Sequence, residues 1–218
     1  MKVETYLRIN NIPYVADPGV EMGPKGKVPW IEYNGEVFTD SSFILKWCNK
    51  TFSVDLDKKL SPKEQGVARS IQKLVEEDIF WCCMMCLFVL DYTDNSWTGF
   101  GWLPNKIINY KARKDCWAQG IGRHTKEEVL DIMESDVKAL SNILGNQKFI
   151  MGNDVSEVDC CVFGFLCQLI WQSPEQPCVD WMKVKYPNLK GYCERMKTAY
   201  WKDWDECITH GLTKEATK

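Results

Sequence analysis

Apolar and polar residues alternate on either side of Asn34-Gly35, a dipeptide that favours a tight turn with positive φ at both positions. The alternation predicts a hairpin of Trp30–Tyr33 against Glu36–Thr39. Pro29 cannot donate to a ladder, so it must open the first strand or sit in a bend, where a cis Val28-Pro29 bond is allowed. Beyond Thr39 the period changes. Asp40 or Ser41 can cap a helix whose apolar face is Phe43, Ile44 and Trp47.

The three-and-four spacing recurs through most of the remaining chain. Val3, Tyr6, Leu7 and Ile9 predict a helix from Met1 to about Asn10; Asn11 to Pro13 turns, and residues 17–27 form a Gly- and Pro-rich loop. Ser61-Pro62-Lys63-Glu64 is a capping box that starts a long helix to about Leu90, with Val67, Ile71, Leu74, Val75, Ile79, Cys82, Cys86 and Val89 as its inner stripe. Asp78 falls on the edge of that stripe and needs a partner. Residues 91–103 read as an aromatic loop containing Trp97, Phe100 and Trp102, and Pro104 opens a helix toward Trp117. A second box, Thr125 with Glu128, leads a helix through Val129, Met133, Val137 and Leu140 to a stop at Gly145. A third motif starts at Ser156, with Asp159 reaching back to its N–H and Val155 packing on Cys160. The stripe Val158, Cys161, Val162, Phe165, Leu166 and Leu169 follows, and Ser156→Ala is expected to lose about 1 kcal/mol or more. A short helix over Trp181–Tyr186 and a last one from Pro187 through Trp201 precede a polar tail.

Composition narrows the function classes. A net charge of −3 over 218 residues, with signs interspersed, argues against a nucleic-acid partner. No apolar run is long enough to span a bilayer, and Glu4 and Arg8 stand where a secretory signal would be apolar. The 11 cysteines show no disulfide-module spacing and read as free thiols in a reducing compartment, hence a cytoplasmic location. With only His124 and His210 and no paired knuckles, no metal site is expected. Cys83-Met84-Met85-Cys86 lies inside a predicted helix, where packing rather than redox chemistry is the expected role.

Three stretches carry a family resemblance: Lys2-Val3-Glu4-Thr5-Tyr6-Leu7-Arg8, Pro24-Lys25-Gly26-Lys27-Val28-Pro29-Trp30-Ile31-Glu32, and Asp40-Ser41. They resemble the failed axon connections family, a branch of the glutathione transferase superfamily near the metaxins. The Ser156–Asp159 motif likewise resembles the buried capping motif of that superfamily's helical domain. The resemblance implies an α+β N-terminal thioredoxin-like domain over residues 1–52, a linker over 53–60, an all-α helical domain over 61–208 and a tail over 209–218. It further implies a strand at Tyr14–Ala16 and an earlier one, whose following loop carries the residue that activates the thiol. Neither that earlier strand nor its loop is found here, so the first domain is expected to be incomplete and the chain truncated or alternatively started.

By the same resemblance, Val28, Pro29, Asp40 and Ser41 would hold glutathione, and no catalytic residue is assigned. Trp81, Met85, Phe88 and Tyr92 are candidates for an apolar pocket, while Ser156 and Asp159 are structural. The expected function is a weakly or non-catalytic protein that binds glutathione, a similar thiol or a protein partner, connected with axon development and able to form homodimers. The alternatives are an active glutathione transferase or peroxidase, and a metaxin-like adaptor at a mitochondrial or other membrane surface.

Overall fold

The computed structural model describes residues 1–17, 21–90, 101–171 and 177–206. Helix α1 (Lys2–Ile9) is followed by the predicted hairpin, β1 (Trp30–Tyr33) against β2 (Glu36–Thr39), paired Trp30 with Thr39 and Tyr33 with Glu36. Asn34 and Gly35 make the turn at φ 51° and 82°. Helix α2 (Ser41–Phe52) then lies against the hairpin: Trp47 stacks on Phe38 at 4.4 Å and meets the Tyr33 ring edge-on at 5.1 Å. A first core of Val3, Tyr6, Leu7, Ile44, Leu45 and Cys48 joins α1 to α2.

The predicted face of α2 is rotated by a fraction of a turn. Ile44, Leu45 and Cys48 point inward, whereas Phe43 is exposed, because the inner line follows the side facing α1. Tyr14–Ala16 is not a strand: no partner strand lies alongside among the described residues, where the sheet has only β1 and β2, and Val15 stands in solvent. An extended segment without a ladder partner satisfies its backbone groups with water instead.

The helical half begins with α3 (Pro62–Leu74), capped as expected by the reciprocal Ser61–Glu64 box. The rod continues through a π turn (Val75–Ile79), α4 (Phe80–Met85) and a second π turn (Cys86–Leu90). Residues four apart on an α-helix drift by about 40° per step. A wider turn holds them closer to one line, and this keeps Ile71, Val75 and Ile79 on the core side. Helix α5 (Trp102–Gln119) starts two residues before the predicted Pro104. Then come a 3-10 turn (Ile121–Arg123), α6 (Lys126–Leu144), α7 (Glu157–Trp171), α8 (Pro177–Asp180), a π turn (Trp181–Lys185) and α9 (Pro187–Tyr200). The expected short helix thus begins earlier, at Pro177. Trp97, Phe100 and the tail over 209–218 lie outside the described residues.

Helix α7 is the central one, buried along almost its whole length. Gly164 lets α1 cross it closely, since a β-carbon there would fall 2.9 Å from the Lys2 nitrogen. Arg8 fixes the other end of α1 to the chain after α9, donating to Asp203 at 2.5 Å and lying 4.0 Å over the Trp201 ring.

Asp57, in the connector over residues 53–60, is half-buried. It accepts the Glu157 N–H at 2.8 Å, capping α7 from the connecting segment. Asn49 on α2 donates to the Glu157 carboxylate at 2.6 Å and accepts the Tyr6 hydroxyl, so the same helix start is tied to α1 and α2.

Candidate functional site

The approach to β1 is closed by two glycines. Gly26 donates to the Gly23 carbonyl at 2.8 Å, and Gly23 donates to the Lys27 carbonyl at 3.2 Å. A β-carbon at Gly23 would meet the Trp30 side chain at 2.8 Å. The loop turns Val28 outward, 64% exposed, with a cis bond to Pro29. Trp30 pairs with Thr39 at this end of the hairpin, so Val28 and Pro29 lead into β1 at the end where Thr39 runs out into Asp40 and Ser41. The four residues singled out in the sequence therefore share one end of the hairpin.

Asp40 caps α2 by accepting the Ser42 N–H at 2.9 Å. Its backbone adopts φ 70° and ψ 122°, a sparsely populated region for a non-glycine residue that costs about 1–3 kcal/mol. Strain of this kind persists where surrounding structure over-determines it, and here the last β2 pair and the first turn of α2 meet at one residue. The side chain is exposed while the helix start behind it offers N–H groups and the positive end of a dipole.

A polar network, not evident from the sequence, underlies this helix start. The Ser42 hydroxyl accepts from Gln72 at 3.1 Å and from Lys2 at 3.3 Å. Lys2 and Gln72 also donate to Glu76, at 2.7 and 2.8 Å, and Lys73 reaches the other Glu76 oxygen at 3.3 Å. Burial opposes the charge on Glu76, yet the bonds from Gln72, Lys2 and Lys73 outweigh it and hold the carboxyl below its usual range. These partners come from α1, α2, α3 and the first π turn, elements far apart in the chain. No local pattern could have indicated them.

At the start of α7, Asp159 lies fully buried. It accepts from Ile150 N–H and Ser156 N–H at 2.9 Å each, from the Ser156 hydroxyl at 2.7 Å and from the Tyr192 hydroxyl at 3.1 Å. Burial raises its carboxyl above the usual range while these donors pull it back. Ser156 serves here as a double donor to Asp159, which in turn anchors the Phe149–Met151 segment and α9.

Three of the four pocket candidates fall among the described residues. Met85 is inside the helical core, Trp81 is half-buried with Phe80 edge-on to its ring, Phe88 is half-buried, and Tyr92 lies outside the described residues. A shallow groove of about 460 Å³ runs elsewhere, along α3 and α6, past Lys63, Val67, Ser70, Leu74 and Ile143. Asp78, expected to need a partner, faces another acid: burial and the Asp78 charge push the Asp136 carboxyl up to about 7.

The described cysteines are free and buried. Burial raises Cys48 to about 11 and Cys82, Cys161 and Cys167 to about 12, and holds Cys83 well above its ordinary value beside Cys178. None of these is a ready thiolate near neutrality. Among the described residues, no three His, Cys, Asp or Glu side chains gather as metal ligands, and no helix is long and apolar enough to cross a membrane.

Two protein-family models match the chain: the glutathione S-transferase N-terminal domain over residues 1–94 and the glutathione S-transferase C-terminal domain over residues 133–196. Failed axon connections of Drosophila melanogaster is 31% identical over 96% of this chain, which spans 55% of that protein's length. Isoprene-epoxide–glutathione S-transferase of a Rhodococcus species is 27% identical, covering 81% of this chain and 79% of the relative. Metaxin-2 of Mus musculus is 24% identical over 94% of this chain and 82% of its own length. Among solved structures, the β-etherase LigF from a Sphingobium species superposes with a TM-score of 0.67 at 17% identity, covering 95% of this chain and 94% of that one.

Proposed function

Because the chain belongs to the glutathione S-transferase superfamily, with Failed axon connections and metaxin-2 among its relatives, we propose that it binds glutathione or a similar thiol peptide at the end of the hairpin. What supports this reading is that exposed Val28, ahead of cis-Pro29, enters the hairpin at the end where β2 runs out into the Asp40-capped start of α2. Val28 offers N–H and C=O groups to an extended peptide in the manner of one more strand. The start of α2 attracts a carboxylate through its N–H groups and dipole, and the exposed Asp40 carboxylate suits the neighbouring ammonium of a γ-glutamyl group. The network of Lys2, Gln72 and Glu76 under Ser42 keeps that helix start in place.

In this reading the protein is a weakly or non-catalytic binding and interaction protein of the failed axon connections type, with axon development as the setting in which its relative is named. The buried thiols support it, since burial raises the pKa of Cys48, Cys82, Cys83, Cys161 and Cys167 and so disfavours their thiolates near neutrality. Calorimetry with reduced glutathione, run beside a conjugation assay with an epoxide, tests it. Binding that weakens about tenfold or more in Asp40→Ala, with no conjugation above the uncatalysed rate, is the expected result. No heat of binding at millimolar ligand overturns it.

A second reading is an active transferase, favoured by the likeness to the isoprene-epoxide enzyme. There the protein would lower the pKa of the bound thiol so that the thiolate attacks an electrophile. Conjugation abolished by Asp40→Ala would select it. The likeness to metaxin-2 supports a third, an adaptor working in the cytoplasm or at a mitochondrial surface, and homodimers are compatible with all three.

A further inference from the structure

Helix α5 is built inside out. Its inner side consists of Asn105, Ala112 and Cys116, all buried. Its outer side exposes Trp102 by 69%, Leu103 by 59%, Ile107 by 60%, Tyr110 by 72% and Trp117 by 59%. Leu103, Ile107, Tyr110, Lys114 and Trp117 recur at steps of four and three, so they form one line about 21 Å long on a helix rising 1.5 Å per residue. Single exposed apolar residues such as Val15 and Val184 are ordinary. A whole aromatic and aliphatic face turned to solvent on one helix marks a contact surface.

The charges around this face identify what it meets. Lys106 and Arg113 flank one side of the line, Lys111 the other, and Lys114 lies within it; Asp115 is the one acid on the helix. Lys106 sits 4.3 Å over the Trp102 ring and Arg123 5.6 Å over that of Trp117, so a cation accompanies an indole at each end. This basic element belongs to a chain of net charge −3. A second copy docked face to face through α5 would set lysines against lysines. A layer of anionic headgroups over hydrocarbon instead takes both parts at once: rings and aliphatics sink to the acyl boundary while lysine and arginine stems reach back to the phosphates.

We propose that the outer face of α5 docks the protein onto an anionic lipid surface, with the helix axis in the plane of the membrane. The inference goes beyond the ligand-binding reading and stands without it, since α5 takes no part in the hairpin site.

Vesicles of phosphatidylcholine with and without phosphatidylserine test it by co-sedimentation, with tryptophan emission as a second readout. The full chain should sediment with the anionic vesicles, shift its emission to the blue, stay in solution with phosphatidylcholine alone, and release as salt is raised. Leu103→Asp with Ile107→Asp should weaken sedimentation about tenfold or more, and Lys106→Gln with Lys114→Gln several-fold. Both pairs are exposed, so thermal melting and glutathione binding should be unchanged, which separates failure here from failure of the hairpin site. Equal binding to neutral vesicles, or binding indifferent to both double variants, overturns the proposal. So does a dimer at working concentration that the Leu103→Asp, Ile107→Asp variant dissociates, because the face would then belong to a second copy.

Discussion

Two helix starts in this molecule use the same residue types to opposite ends. At α7, Asp159 and Ser156 are sealed in the core, and every oxygen of the carboxylate is met by donors from three segments. At α2, Asp40 and Ser41 stand at the surface; the Asp40 side chain takes one N–H from its own helix, and its backbone is held at positive φ. The first arrangement is closed and can only hold the fold together. The second leaves charge, N–H groups and strain facing outward, the condition of a site that can accept something else.

Replacing each acid should break the comparison most sharply. Asp159→Ala strands the Ile150 and Ser156 N–H groups in the core, and should cost about 3 kcal/mol or more, read as a fall in denaturant midpoint. Asp40→Asn keeps a capping side chain tolerant of positive φ. It should leave stability within about 0.5 kcal/mol while weakening glutathione binding about tenfold, read by calorimetry. A stability loss at Asp40 equal to that at Asp159 would erase the distinction.

Asp136 sharpens the contrast from another side. It is a half-buried carboxyl whose Oδ2 has no hydrogen-bond partner, with Asp78 as its neighbour in place of N–H donors. Its folded pKa of about 7 lies above the unfolded value, so its stabilising contribution is present below the ordinary carboxylate range and is lost as pH rises through about 7. Asp136→Asn should therefore raise stability at pH 8 by about 1 kcal/mol, after allowance for solvent screening of a partly exposed group, and little at pH 4. Thermal melts of both proteins across that range check the sign. The smallest effect is expected at Ser61, an exposed cap with no core network behind it, where Ser61→Ala should cost about 0.5–1 kcal/mol.

The features legible in the sequence were those written within a few neighbouring residues. The Asn34-Gly35 turn, the register of the hairpin and the Ser61 and Thr125 boxes all formed as read. Their signals are short-range preferences that tertiary packing did not need to override. Errors arose where the answer depended on what lay opposite. Phe43 has the right spacing for a core position but the wrong azimuth relative to α1, and Tyr14–Ala16 has strand-like residues without a strand to pair with. On α5, Asn105, Ala112 and Cys116 form the inner side even though larger apolar residues were available for it. The Lys2–Ser42–Gln72–Glu76 network joins four elements through bonds that no period along the chain encodes.

The cap that Asp57 places on α7 has a consequence for how the molecule comes apart. Through Glu157, Asn49 and Tyr6 the same point is laced to the first two helices, so the covalent connector and the side-chain bridge end on one turn of backbone. Loosening the hairpin half strips the central helix of its terminal partner, and fraying that helix releases the hairpin half. Melting should accordingly be a single concerted event, with circular dichroism and tryptophan emission tracing one curve.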